Sequence, residues 1–309
     1  MSFEERLERW GRRIFARNEV LSDKLGLTGR EMGKNVDLFL ATNMGRFGTF
    51  IILLFVVMAI AAAIVYPEKP GVTGAPFEEP SLDHPFGTDY IGRDLFVRIL
   101  QGTQASLVVG FAAMAISMIL GTLVGLASGY WGGWKDEVIM RVNDVFLSIP
   151  WLVLMLVLAS VLHSQTLFTV IIVIGVTGWS TTARIVRSQV LTLRTRQFVE
   201  RARAIGSGDW HIIRRHVFPN VVPLIFANAI LTVAIAILSE STLSYLKMGP
   251  KDVETWGKIL EEASRYNTQL IGPYSYILVP GIFIVIIVLG FTFVGYAMDE
   301  VLNPKLRQR

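Results

Sequence analysis

Two carboxylates, Asp144 and Glu240, stand in stretches whose other residues are almost all apolar. An ionised carboxylate away from water is costly, so each must find a cation, face a water-filled path or hold a neighbouring helix. Arg141 precedes Asp144 by about one helical turn, which favours an internal ion pair there over a pore contact. Glu240 lies deeper in its apolar run. From its position alone, both a water-filled path and a place between helices stay open for it.

No other grouping supports bond-making chemistry. His84, His163, His211 and His216 lack metal-ligand spacing, and no Ser/His/Asp arrangement of a known type occurs. The absence of cysteine removes disulfides, thiolate nucleophiles and Cys-ligated metals. Gly29 to Asn35 (GREMGKN) comes nearest to a phosphate-binding loop, but it is one residue short and Asn35 replaces the required hydroxyl. The chain is therefore expected to have no catalytic residues, no metal and no cofactor of its own.

These residues must be positioned by membrane-spanning elements. Of 309 residues 52% are hydrophobic and only 17% charged, too apolar a balance for a soluble domain of this length. Crossing the hydrocarbon takes about 20 helical residues, and six stretches qualify. They run from about Phe47 to Tyr66, Ser106 to Tyr130, Val142 to Leu162 with Pro150 inside, Leu167 to beyond Trp179, Val221 to Tyr245, and Tyr276 to Met298. Gly110, Gly121, Gly125 and Gly129 punctuate the second. With six spans, about 22 of the 29 Lys and Arg residues fall on one side and about 7 on the other, which places both termini in the cytoplasm. The net charge of +4 follows from this topology, and no nucleic-acid-binding pattern accompanies it.

Before the first span, Ser2 to Leu25 has helical spacing of Phe3, Leu7, Trp10, Ile14 and Phe15, an amphipathic helix suited to the membrane surface or to a partner subunit. The apolar run that follows is too long and too far along the chain for a signal peptide. An external link over 67–104 ends in HPFGTDYIGRDLFVRIL, where a short interfacial helix from Arg93 is expected to lead into span two as a structural elbow. A second external link, Leu246 to Ser275, has turns at Pro250 and Gly257 and a surface helix over Lys258 to Tyr266. In the fourth-to-fifth link, Phe198, Ala202 and Ile205 share one helical face and Arg201 and Arg203 lie elsewhere. Gly206 stops this helix, Ser207 and Gly208 open a turn, Asp209 is placed to cap a second helix from Trp210, and Pro219 marks entry into span five.

Glu200, Ala202, Gly206, Phe218 and Pro219 resemble the cytoplasmic signature of ATP-binding-cassette importer permeases, with Arg201 and Phe218 departing from the usual Ala and Leu. His84 to Thr88, Asp89, Gly92, Arg93 and Asp94 are similar to the oligopeptide/dipeptide permease branch, specifically its second pore subunit. So are Arg141, Asp144, Pro150, Ser239-Glu240, Leu243 to Leu246, Trp256-Gly257 and Asn303-Pro304. The likeness covers about residues 84 to 309.

The resemblance implies an all-α type I importer permease fold, six transmembrane helices with a cytoplasmic coupling helix. It divides the chain into a cytoplasmic segment 1–46, a first span 47–66, an external link 67–104, a five-helix core 105–299 with coupling helices at about 195–218, and a cytoplasmic tail 300–309. Glu200, Ala202, Ala204, Gly206, Asp209 and Pro219 would couple to an ATPase, and Asp144 and Glu240 would serve pore or gate. Asp89, Arg93, Asp94 and Trp256 would meet a binding protein. Implied partners are a second homologous permease, two ATP-binding subunits carrying ATP and Mg, an extracytoplasmic substrate-binding protein and the lipid of a prokaryotic plasma (inner) membrane. Peptide is the expected cargo and oligosaccharide the alternative; a secondary transporter or channel is the rival class.

Overall fold

The computed structural model describes residues 37–302, so the amphipathic helix expected over Ser2 to Leu25 and the Asn303-Pro304 pair lie outside the described residues. The described chain is helical, the economical way for a backbone to satisfy its own polar groups in lipid. Helix α1 spans Asn43–Val65, α2 Leu95–Trp131, α3 Gly133–Ser148, α4 Trp151–Leu162 and α5 Leu167–Leu193. A short α6 (Gln197–Ala204) precedes α7 (Asp209–Tyr245), and α8 (Trp256–Arg265), α9 (Thr268–Ile271) and α10 (Ser275–Leu302) complete the order.

Five of these, α1, α2, α5, α7 and α10, are long and apolar enough to cross a membrane singly, and α3 with α4 makes a sixth crossing only as a bent pair. The third span, expected over Val142 to Leu162 with Pro150 inside, is thus this bent pair and begins nine residues earlier, at Gly133. Between α3 and α4 the chain turns by 90°. Pro150 forms the N-cap of α4, and the residue before a proline is pushed out of helical geometry, as the extended backbone of Ile149 shows. A correction concerns Arg93 onward, where no separate interfacial helix forms. Asp94 caps α2 by accepting from the Phe96 amide at 2.7 Å, and the helix then runs unbroken for 37 residues, about 55 Å.

Glycine determines which helices meet. Gly121, Gly125 and Gly129 recur every fourth residue along one face of α2, and α5 lies directly on them. A methyl group on Gly125 would come within 2.6 Å of the Ala183 carbonyl oxygen. Small residues at this spacing let two backbones approach closely enough for dispersion contacts to hold them. In the same way, Gly48 of α1 sits against the Gly290 carbonyl of α10. Near the start of α2, Gly102 makes room for the indole of Trp256, which is fully buried and donates from Nε1 to the Ile99 carbonyl at 3.0 Å. Phe55 and Phe283 meet this indole edge-on, joining α1, α2, α8 and α10 in one apolar cluster. Outward-facing side chains such as Phe47, Phe50, Val57 and Ile64 on α1 are exposed and apolar, as contact with lipid requires.

The bundle therefore has two ends. At one, α8 and the 67–94 link cover the starts of α2 and α10. At the other, α6 caps the ends of α2 and α5 and the start of α7.

Candidate functional site: a coupling tip and the scaffold opposite it

The tip begins where α5 ends at Leu193. After Arg196, α6 makes two turns and buries Val199 and Ala202 against Leu126, Val190, Ile212 and Val217. Phe198 and Ile205, expected on the inward face, are instead exposed, Ile205 by 82%. Registration of the helix on Val199 and Ala202 turns those two residues outward. Gly206 ends α6 at φ +82°, a conformation that only glycine takes without strain. Its amide donates to the Arg203 carbonyl at 3.0 Å and the Ser207 amide to Ala202 at 3.0 Å, the paired closure that satisfies the last carbonyls of a helix.

Asp209 does not cap the next helix. Gly208 occupies the N-cap position, and the Asp209 carboxylate accepts from the Tyr130 hydroxyl at 2.8 Å, tying the start of α7 to the end of α2. Pro219 stands where it was expected, in the first turn of the α-helical stretch Phe218–Tyr245, which α7 reaches without a break through a π-helical stretch at Ile213–Val217. The wide π turn aligns the chain before Pro219, whose missing N–H then costs little. Glu200, Ala204, Ile205, Trp210 and four arginines, Arg201, Arg203, Arg214 and Arg215, are exposed, and among the described residues none of these charges forms an ion pair. The tip presents apolar and charged surface on a rigid base.

At the opposite end the charges turn inward. Arg98 has no exposed surface, and its guanidinium reaches Asp89 at 2.8 Å, Glu254 at 2.6 Å and Glu262 at 2.7 Å. Arg93 adds a 2.5 Å bond to Asp89 and Lys258 a 2.9 Å bond to Glu254, while the Tyr276 hydroxyl donates to Glu262 at 3.1 Å. Three cations and three carboxylates balance. Burial alone would push the Glu254 carboxyl up, but Arg98 and Lys258 outweigh it and hold its pKa at about 2. Outside the cluster, the Asp94 carboxylate receives His84 Nδ1 at 3.0 Å; that bond raises the His84 pKa against a smaller desolvation effect, and the nearby Glu78 and Asp83 add to it.

This placement corrects the docking role expected of Asp89, Arg93, Asp94 and Trp256. Asp89 and Trp256 have no exposed surface and the side chains of Arg93 and Asp94 only 14%, so they brace the outer links from beneath and offer a partner little or no surface. Arg98, Glu254, Glu262 and Tyr276 escaped sequence reasoning. Arg98 was accessible to it, since an arginine inside LFVRIL invites the question asked of Asp144 and Glu240. The two glutamates carry no comparable signal.

Asp144 does not pair with Arg141. It accepts from Arg184 of α5 at 2.7 Å, and Arg141 instead faces Glu137 at 3.8 Å. Glu240 is fully buried and bonded to hydroxyls, Ser244 at 2.6 Å and Ser241 at 3.5 Å, with Thr255 completing the chain through Ser244. In the described chain it packs α7 against the start of α8.

A family model for the binding-protein-dependent transport system inner membrane component matches residues 117–308. The chain belongs to that family. This permease is 35% identical to the oligopeptide transport system permease protein OppC of Bacillus subtilis (strain 168), over 95% of this chain and 96% of that one. It is 36% identical to the dipeptide transport system permease protein DppC of the same organism, over 84% and 82% of the two chains. Among solved structures, an inward-facing form of the MetNI methionine ABC transporter superposes with a TM-score of 0.54 at 20% identity, covering 66% of this permease and 96% of that chain, which shows a shared fold. The permease is thus a multi-pass membrane component of an ABC importer, a family whose members work with an ATPase and a substrate-binding protein.

Proposed function

We propose that this permease forms one half of the transmembrane path of an ATP-driven importer of peptides, paired with a second, homologous permease. Two ATP-binding subunits dock at the α6 end, and a binding protein delivers peptide at the α8 end. Both termini and the tip are then cytoplasmic, in keeping with the excess of Lys and Arg on that side. The membrane is the plasma (inner) membrane of a prokaryote. ATP and Mg belong to the partner subunits, and this chain has no nucleotide site of its own.

The observation that carries the reading is the tip: a short helix closed by Gly206 that buries Val199 and Ala202 and leaves Glu200, Ile205 and Trp210 outward. Such a knob fits a cleft in an ATPase. When the ATPases close, the tip moves with them, and the unbroken α7 carries that displacement about 55 Å to the other end. Closure turns the path outward to receive substrate, and hydrolysis on the partners resets it inward.

The test is to reconstitute the co-purified complex and measure ATP hydrolysis with its binding protein loaded with peptides or with oligosaccharides. Stimulation by peptide is expected; stimulation by oligosaccharide alone would reassign the cargo. Uptake by this chain alone in liposomes would make it a secondary transporter or channel. Glu200→Ala and Gly206→Pro are expected to lower stimulated hydrolysis while the chain still inserts, and normal coupling in both would remove the tip from the mechanism.

A further inference from the structure

Helix α3 is attached to the bundle unlike any other long helix. It buries only two residues, Asp136 and Asn143, both polar, whereas α5 buries twelve. Its apolar residues Trp134, Val138, Val142 and Val145 are all more than half exposed. What fastens it to α5 is mainly charge, beside one aromatic contact in which Phe146 meets Trp179 edge-on at 5.3 Å. Arg187 grips Asp136 through Nε and Nη2, both at 2.6 Å, with the Ser128 hydroxyl as a further donor, and Arg184 holds Asp144 at 2.7 Å. Asp136 and Asp144 lie eight residues apart on one face of α3, and Arg184 and Arg187 three apart on one face of α5, so the contacts form a ladder.

Both ends of α3 are jointed. Gly132 precedes it at φ +64°, Gly133 begins it at φ +57°, and the 90° turn before Pro150 follows it. A shallow, open groove of about 380 Å³, bordered by Gly133, Asp136, Met140, Asp144 and Arg187, lies beside these pairs. Asn143 is fully buried, yet neither its Nδ2 nor its Oδ1 has a hydrogen-bond partner. A buried amide left unbonded is costly, so the second of the two buried residues adds little to the hold on α3. The glycine joint also lies two residues beyond Tyr130, whose hydroxyl holds Asp209 at the root of the tip.

We propose that α3 is a movable arm latched to α5 by the Asp136–Arg187 and Asp144–Arg184 pairs, which act as positioning residues for transport. The proposal rests on the importer reading. Displacement of the tip pulls on the Tyr130–Asp209 bond, the glycine joint yields, the latch opens, and α3 swings α4 relative to α5, reshaping the path between the membrane faces. Charge pairs suit this task because they can part and re-form at small net cost, which an interdigitated apolar seam cannot.

The chain has no cysteine, so a pair can be introduced without background. Met140→Cys on α3 and Ser188→Cys on α5 would be joined by a short, thiol-cleavable bismaleimide in the assembled complex. ATP-dependent peptide uptake is expected to fall to background while the link is intact and to return when it is cut. Uptake unchanged by the intact link overturns the arm. A second arm of the test uses charge: Asp144→Arg is expected to lower uptake per assembled complex about two- to fivefold, and adding Arg184→Asp to restore it. Failure of the swap to restore uptake also counts against the latch. If the wild-type complex itself takes up nothing, the importer reading falls and the arm with it; a working wild type with a working linked variant removes the arm alone.

Discussion

At the α8 end, Arg93, Arg98 and Lys258 are shut in with Asp89, Glu254 and Glu262, each charge answered by another. At the α6 end, Glu200 and four arginines stand exposed, without ion pairs among the described residues. The contrast separates two uses of charge. A balanced, buried cluster fixes the geometry of whatever contains it, because removing any member strands another away from water. An unbalanced, exposed set leaves its field to a partner and contributes orientation and encounter more than internal stability. One end is closed on itself; the other is unfinished until something docks.

The largest expected effect comes from breaking the closed end. Arg98→Ala leaves three carboxylates facing two cations around a buried void, and should cost about 3–5 kcal/mol, the usual penalty for stranding a buried charge. Thermal inactivation of the detergent-solubilised complex and its yield from membranes report this; wild-type values would deny the cluster its structural role. Acid should act on the same contacts. With Glu254 held at about 2 against an ordinary 4.5, its contribution is complete above about pH 4.5 and disappears as pH falls towards 2.

How legible this was in the sequence depends on the kind of signal. Five continuous spans and the site of the tip followed from run length and from the stop at Gly206 with the turn after it, because these signals are local. The 90° break at Pro150 was half-visible: proline announced an interruption, but whether a chain bends or kinks there depends on what α3 can rest against. Asp144 shows the limit more sharply. Arg141 was the nearest cation in sequence, yet Arg184, forty residues on, is the one it meets, since α5 lies along α3 only after the glycine face of α2 has brought α5 into place. The inward face of α6 was set likewise by tertiary packing, and Ile205 lost to Val199.

A smaller effect is expected at the open end. Gly206→Ala places a Cβ where φ is +82° but where no atom lies within 4 Å, so the penalty is conformational strain alone, about 1 kcal/mol. Since α6 is a two-turn knob, that strain should loosen the tip locally and leave the melting temperature of the whole complex almost unchanged. Binding-protein-stimulated ATP hydrolysis is the sensitive measurement. A large loss of thermal stability would mean that the two ends are less independent than their charges imply.

The smallest effect concerns His84, which ties the 67–94 link to the cap of α2. Its pKa is raised in the folded chain, so the stabilisation is complete below its ordinary value of 6.5 and is lost as pH rises through the raised value. The apparent melting temperature of the complex should therefore decline slightly between about pH 6 and pH 8, and His84→Gln should remove that part of the slope. The groups facing the imidazole are Asp94, Glu78 and Asp83, all acidic, so no neighbouring cation reverses the sign. The effect is small because the pair lies near solvent, where water and salt screen it, whereas Arg98 has neither nearby. Identical slopes in wild type and variant would show that even the closed end keeps its shape through the buried cluster alone, which would make the contrast between the two ends sharper still.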